Sequence, residues 1–205
     1  MAKAPVATML ILAALYAAFW LDDSTRERTG IGPDPLPERW VFDGENPKAI
    51  QFISYVFVHL NRSHLESNCV LLLIAMTLCE LRVGPLKLLA AFILSAFGTA
   101  VGFHLIDSRD LYGASGVVAS TVMMSAVLWS THTKTRWYWR TGPALIAIGY
   151  FVFSEIVPAI QGHPSRGWHA HAAGALTGFV LGLLWALRQS LQPPAIASVE
   201  RGSPP

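Results

Sequence analysis

The stretch Tyr112-Gly113-Ala114-Ser115-Gly116 opens an apolar run, residues 117–129, that is nearly long enough to cross a bilayer. Glycine carries no side-chain bulk, so a neighbouring helix or a substrate backbone can come close to a hydroxyl that glycines flank. If the run is helical, its first N–H groups lack intrahelical partners and favour negative charge developing above them. A serine so placed has the makings of a nucleophile with an oxyanion site beside it. Taken alone, G-x-S-G also reads as a small-residue helix contact. The choice turns on whether the chain supplies a base at the same membrane depth.

Two other stretches carry such groups. His64 and Asn68 are four residues apart, on one helical face, just before the apolar run 69–78. His171 stands in Ala170-His171-Ala-Ala-Gly174-Ala-Leu-Thr-Gly178, where Gly174 and Gly178 form a G-x-x-x-G face. Packed against the helix that begins at Ser115, this face would bring His171 to the hydroxyl. Serine needs a base to be nucleophilic near neutral pH, and neutral imidazole suits that task.

The elements that must position these groups follow from composition and charge. Of 205 residues, 53% are hydrophobic and 14% charged, against about a quarter charged in soluble domains. This is the composition of a multi-pass, all-α membrane protein. A net charge of +2 leaves no basic footprint for nucleic acid. Cys69 and Cys79 bracket one apolar run, where a structural disulfide is not expected. Six transmembrane helices are expected. Residues 1–21 form the N-terminus and an uncleaved first span, and 22–49 an outer loop. Residues 50–187 form a core with five further spans, the last four at about 86–106, 113–129, 143–160 and 169–187, and 188–205 a disordered cytoplasmic tail. The 131–142 loop, with Lys134, Arg136 and Arg140 and no acid, belongs in the cytoplasm, whereas 22–49 carries seven acids against four bases. Both termini then lie inside, and His64, Asn68, Ser115 and His171 share the outer third of the membrane.

With these pieces in order, the chain resembles the rhomboid family of intramembrane serine proteases. The matching motifs are H-x₄-H-x₃-N (His59, His64, Asn68), E-x-R-x-G (Glu80, Arg82, Gly84), G-x-S-G (Gly113 to Gly116) and A-H-x-x-G-x-x-x-G (Ala170 to Gly178). The resemblance implies a rhomboid-like six-helix bundle, with Ser115 as nucleophile and His171 as general base in a dyad without a third acid. It implies an oxyanion hole made by the Ser115 backbone N–H with His64 and Asn68, and structural roles for His59, Glu80, Arg82, Gly84, Gly113, Gly116, Gly174 and Gly178, with Glu80 and Arg82 in the loop after the second span. No cofactor or metal is implied. Two positions depart from the family. A tyrosine that often follows the serine by four residues, under the histidine, is Ala119 here, so some other side chain must orient His171 or the dyad is looser than usual in the family. The Trp-Arg often found eight to nine residues before the first histidine is Ile50-Gln51, which puts first-loop anchoring in doubt.

The resemblance thus implies a serine endopeptidase that cleaves transmembrane segments of other membrane proteins near their outer face, its partners being those substrates and the lipid bilayer. The alternative is a catalytically silent rhomboid-like protein that binds membrane clients. A metal protein using His59, His64 and His171 would leave Ser115 without a role, and Asn68 is a poor metal ligand. His169, two residues before His171, points to a different helical face and reads as an interfacial side chain, as do His104, His132 and His163. Glu155, inside an apolar run, is unassigned. The compact plan suits a bacterial inner membrane.

Overall fold

Apolar runs free of breakers become helices, and the few Gly and Pro residues between them decide where each one stops. The structure, a computed structural model, describes residues 4–29, 38–132, 136–162, 165 and 167–191. The tail from Gln192, the centre of the outer loop, Lys134 and His163 lie outside the described residues.

Helix α1 spans Val6–Thr29. It outruns its apolar stretch because no Gly or Pro interrupts residues 22–29, so the loop expected from 22 begins later. Residues 50–60 form only a short helix, α2 (Gln51–Ser54), with a 3-10 turn (Tyr55–Phe57). Helix α3 (Arg62–Val83) starts at an Asn61 cap whose side chain accepts the His64 N–H at 2.9 Å. It ends at Gly84, whose φ of 84° only glycine adopts at low cost. Pro85 then opens α4 (Pro85–His104), where its missing N–H is not needed. Helix α5 is Ser115–Ser130. A continuous rod follows, α6 (Trp137–Phe151), a π-helical turn (Val152–Ile156) and α7 (Val157–Ile160). Residues 137–142, expected in a loop, are therefore helical; their aromatic side chains are compatible with helix, and Pro143 is tolerated inside it. Last comes α8 (Trp168–Ser190), so residues 188–190 are helix rather than tail.

Among the described residues the chain is all-helical apart from one β-bridge, Phe42–Leu111. Four helices are long and apolar enough to cross a membrane: α3, α4, the rod Trp137–Ile160 and α8. The apolar helices Val6–Asp22 and α5 are shorter, so the expected six crossings depend on these two.

Helix α5 is the axis of the packing, buried on nearly every side, and its most extensive contact is with α8. Glycine makes that contact possible. A Cβ on Gly174 would stand 2.0 Å from the Gly116 carbonyl oxygen, and one on Gly178 would stand 1.9 Å from that of Ser120. Helix α4 joins the same seam, with Gly98 against Thr177 and Gly102 against Ala173.

Glu80 lies in the last turns of α3, not in the loop after it, and it is buried. Its carboxylate accepts the Ala7 and Thr8 N–H groups at 3.0 and 2.9 Å and the Thr8 hydroxyl at 2.8 Å. It thereby caps α1 from another helix, where N-terminal donors have no partners of their own. Arg82 stacks its guanidinium over Trp129, 5.2 Å from the ring centroid.

The glycine seam yields a first prediction. Gly178→Val forces α8 away from α5 and lowers unfolding stability in micelles by about 3 kcal/mol, the upper range for overpacking. Gly142→Ala, inside α6 where a Cβ meets nothing within 4 Å, does not lower the thermal midpoint.

Candidate active site

The beginnings of α3, α5 and α8 meet at one end of the bundle. His64 and Asn68 from α3, Ser115 from α5, and Ala170 and His171 from α8 line a single cavity of about 580 Å³. The four polar residues that the spacing singles out are thus brought together. No direct hydrogen bond joins the Ser115 hydroxyl to His171 among the described residues.

Local geometry explains why these positions hold these residues. Gly113 has φ 88°, and a Cβ there would sit 2.7 Å from His64 Cε1. Its N–H donates to the Tyr55 carbonyl at 3.0 Å. The following residue, Ala114, precedes α5 and offers no side-chain cap, so the first N–H groups of the helix keep their donor capacity. Gly116 lies against Thr99 and the Ala170 carbonyl, which draws the Ser115 end of α5 towards α8.

His59 is buried, and its Nε2 lies 3.2 Å from Asn68 Nδ2 and 3.4 Å from the Ala114 nitrogen. Both neighbours can only donate, so Nε2 accepts and the ring proton sits on Nδ1. His59 therefore orients the Asn68 amide and the turn before Ser115 together, leaving the second Asn68 N–H directed elsewhere.

The segment from Glu38 to Gln51 is anchored, although the Trp-Arg pair is missing. Gln51 is 1% exposed; its Oε1 accepts the Lys48 N–H at 2.8 Å, and its Nε2 donates to the Glu38 carbonyl at 3.0 Å. The doubt about anchoring is corrected by an amide that serves both as donor and as acceptor. The Phe42–Leu111 bridge, with 3.0 Å bonds each way, then ties this loop to the segment leading to Ser115.

Two residues that motif spacing does not reveal touch His171. Glu155, from the π-helical turn, places Oε1 against His171 Nδ1. Tyr150 holds its ring 6.1 Å from the imidazole, and its hydroxyl donates to the Ser115 carbonyl at 3.4 Å. The trace they leave in the sequence is an acid within an apolar run. His169 instead turns to the α4–α5 loop, with Nδ1 2.7 Å from Asp107 Oδ2. Among the described residues no group of three or more His, Cys, Asp or Glu side chains is arranged to hold a metal.

Residues 46–188 match the Rhomboid domain family. The chain belongs to the rhomboid family. It is also 30% identical over 156 residues to Rhomboid-like protein 11, chloroplastic, of Arabidopsis thaliana; the match covers 69% of this chain and 53% of the relative. The chain thus spans about half the length of that curated relative. Family membership and the apolar helices make it an integral membrane protein, and the matched residues include His64, Asn68, Ser115 and His171.

The α4–α5 loop of this rhomboid domain carries a pH-dependent clasp. The Arg109 guanidinium beside Asp107, helped by backbone and His169 hydrogen bonds, holds the Asp107 carboxyl well below the usual carboxylate range. The folded state binds that proton more weakly than the unfolded chain. The clasp therefore stabilises fully above the unfolded value of about 4 and fades as pH falls from there through the lowered one. Asp107→Asn should lower the thermal midpoint at about pH 7, and the difference should shrink below about pH 4.

Proposed function

We propose that this rhomboid is an intramembrane serine endopeptidase that cuts transmembrane segments of other membrane proteins near their outer ends. The observation that carries this reading is the single cavity shared by Ser115, His171, His64 and Asn68. Structural need alone gives no reason to gather a hydroxyl, two imidazoles and an amide from three apolar helices, since each is costly at membrane depth.

In this reading α1 and α5 cross the membrane with the four longer helices, giving six crossings. The basic 131–142 segment faces the cytoplasm and both termini lie on that side, the orientation expected in a bacterial inner membrane. The sixteen residues of α5 rise about 24 Å at 1.5 Å each, against a hydrocarbon thickness of about 30 Å. Its far end carries Trp129, stacked by Arg82 and 5.6 Å from Trp139, an aromatic and basic belt suited to the interface. Anchored there, α5 leaves Ser115 roughly 6 Å below the opposite boundary. The serine is recessed but within reach of water through a polar-lined cavity.

The chemistry follows the usual order for acyl transfer. Ser115 Oγ bonds to the scissile carbonyl carbon as its proton passes to His171 Nε2. The carbonyl oxygen takes the electron pair and is met by the Ser115 N–H, His64 and the free Asn68 N–H. The carbon–nitrogen bond then breaks, and the Nε2 proton goes to the leaving amine. Water, deprotonated by the same nitrogen, releases the acyl group. A substrate helix must unwind locally, because helical hydrogen bonding shields its carbonyls. Segments with small or helix-breaking residues near their outer ends are the expected substrates.

The test is cleavage of single-span reporter proteins in proteoliposomes. Ser115→Ala and His171→Ala should each reduce cleavage by at least about 10³-fold, and Asn68→Ala by about 10²–10³-fold, with all three proteins still folded. Full activity in Ser115→Ala would refute Ser115 as the nucleophile, and an inert wild type across reporters of differing helix stability would replace this reading with that of a silent client-binding rhomboid.

A further inference from the structure

Ala119 leaves the residue that orients His171 unspecified, and Glu155 is an acid in an apolar run with no assigned task. The rod that packs beside α5 answers both. Pro158 has no N–H, and its ring crowds the carbonyl of Ser154, four residues earlier. The helix widens at that point into the π-helical turn, where the Val157 N–H reaches back five residues to the Val152 carbonyl. This wider turn carries Glu155, and Glu155 Oε1 meets His171 Nδ1. The side chains involved are 20% and 11% exposed. The second oxygen, Oε2, is buried without a hydrogen-bond partner. A half-satisfied acid at this depth is a poor device for stability, since an apolar residue of similar volume would serve better. One turn earlier, Tyr150 contacts the imidazole and the Ser115 carbonyl, so one rod addresses both members of the dyad.

We propose that Glu155 is a positioning residue for His171 and completes a Ser115–His171–Glu155 triad, an inference that rests on the serine-protease reading. The carboxylate accepts a hydrogen bond from the Nδ1–H. That fixes the tautomer whose lone pair is on Nε2, the nitrogen that takes the serine proton. When Nε2 is protonated the ring becomes imidazolium, and the ionised Glu155 stabilises it without itself taking the proton. The carboxylate returns unchanged once Nε2 gives its proton to the leaving amine. Tyr150 limits rotation of the ring from its side. The orienting groups thus come from the π-bulged rod rather than from α5.

Steady-state cleavage by Glu155→Gln and Glu155→Asp tests the proposal, together with proton NMR of the wild type and of Ser115→Ala in micelles. Glu155→Gln should lower kcat by about 10²–10⁴-fold with KM within about threefold of wild type. Glu155→Asp, which restores the charge, should recover at least about tenfold of that loss. A far-downfield His171 Nδ1–H resonance, assigned by its loss in His171→Gln, should appear in wild type and in Ser115→Ala and vanish in Glu155→Gln. The spectrum needs no turnover, so an inert wild type that keeps the resonance would refute the endopeptidase reading while supporting the pairing of Glu155 with His171. Absence of the resonance from wild type, or a Glu155→Gln enzyme with kcat within about threefold of wild type, would overturn the proposal.

Discussion

The close approach of α5 and α8 is the constraint on which the rest of this molecule depends. In lipid there is little hydrophobic gain from bringing two apolar helices together, so contact rests on how near their backbones can come. At Gly174 and Gly178 the α5 carbonyls occupy the space where side chains would stand. That distance fixes the depth of His171 relative to Ser115, since both sit near the starts of the helices the seam joins. Helix α4 adds Gly98 and Gly102 to the seam, and any bulk there would be transmitted directly to the cavity.

Around this seam the supports are polar and mostly come from outside it. His59 spans from the Asn68 amide to the Ala114 N–H, coupling the α3 side of the cavity to the turn before the serine. Gln51 and the Phe42–Leu111 bridge tie the segment before α2 to the stretch leading into α5. At the other end, Glu80 ties the start of α1 to α3. Apart from the His59–Asn68 bond, which joins two side chains, these bonds satisfy backbone donors or acceptors that neither lipid nor a regular helix would satisfy. These bonds fix the surroundings of the cavity, the kind of arrangement that preorganised electrostatic catalysis would use.

The glycine spacings, His64, Asn68, Ser115 and His171 were legible in the sequence because each lies at a fixed interval within one helix. Family resemblance then assembled the pieces. Contacts set by the relative placement of distant elements were not legible in this way. Gln51 looked like the loss of an anchor, yet its amide makes an anchor of a different kind. Glu80 looked like a loop residue because its partners, Ala7 and Thr8, lie at the far end of the chain. Charged and aromatic residues suggest a loop at residues 22–29 and 137–142, where the structure is helical. Glu155 was visible as an anomaly, but its direction depends on the π-helical turn at Pro158, which local pattern does not specify.

The central claim is that the α5–α8 contact makes Ser115 an activated nucleophile. The direct measurement is mass spectrometry of the intact, reconstituted protein after exposure to a fluorophosphonate, which reacts with serines whose proton a neighbouring base removes. One adduct should form, on Ser115, in wild type and be blocked when His171 is replaced by alanine. Labelling elsewhere, or labelling of Ser115 at the same rate without His171, would contradict it.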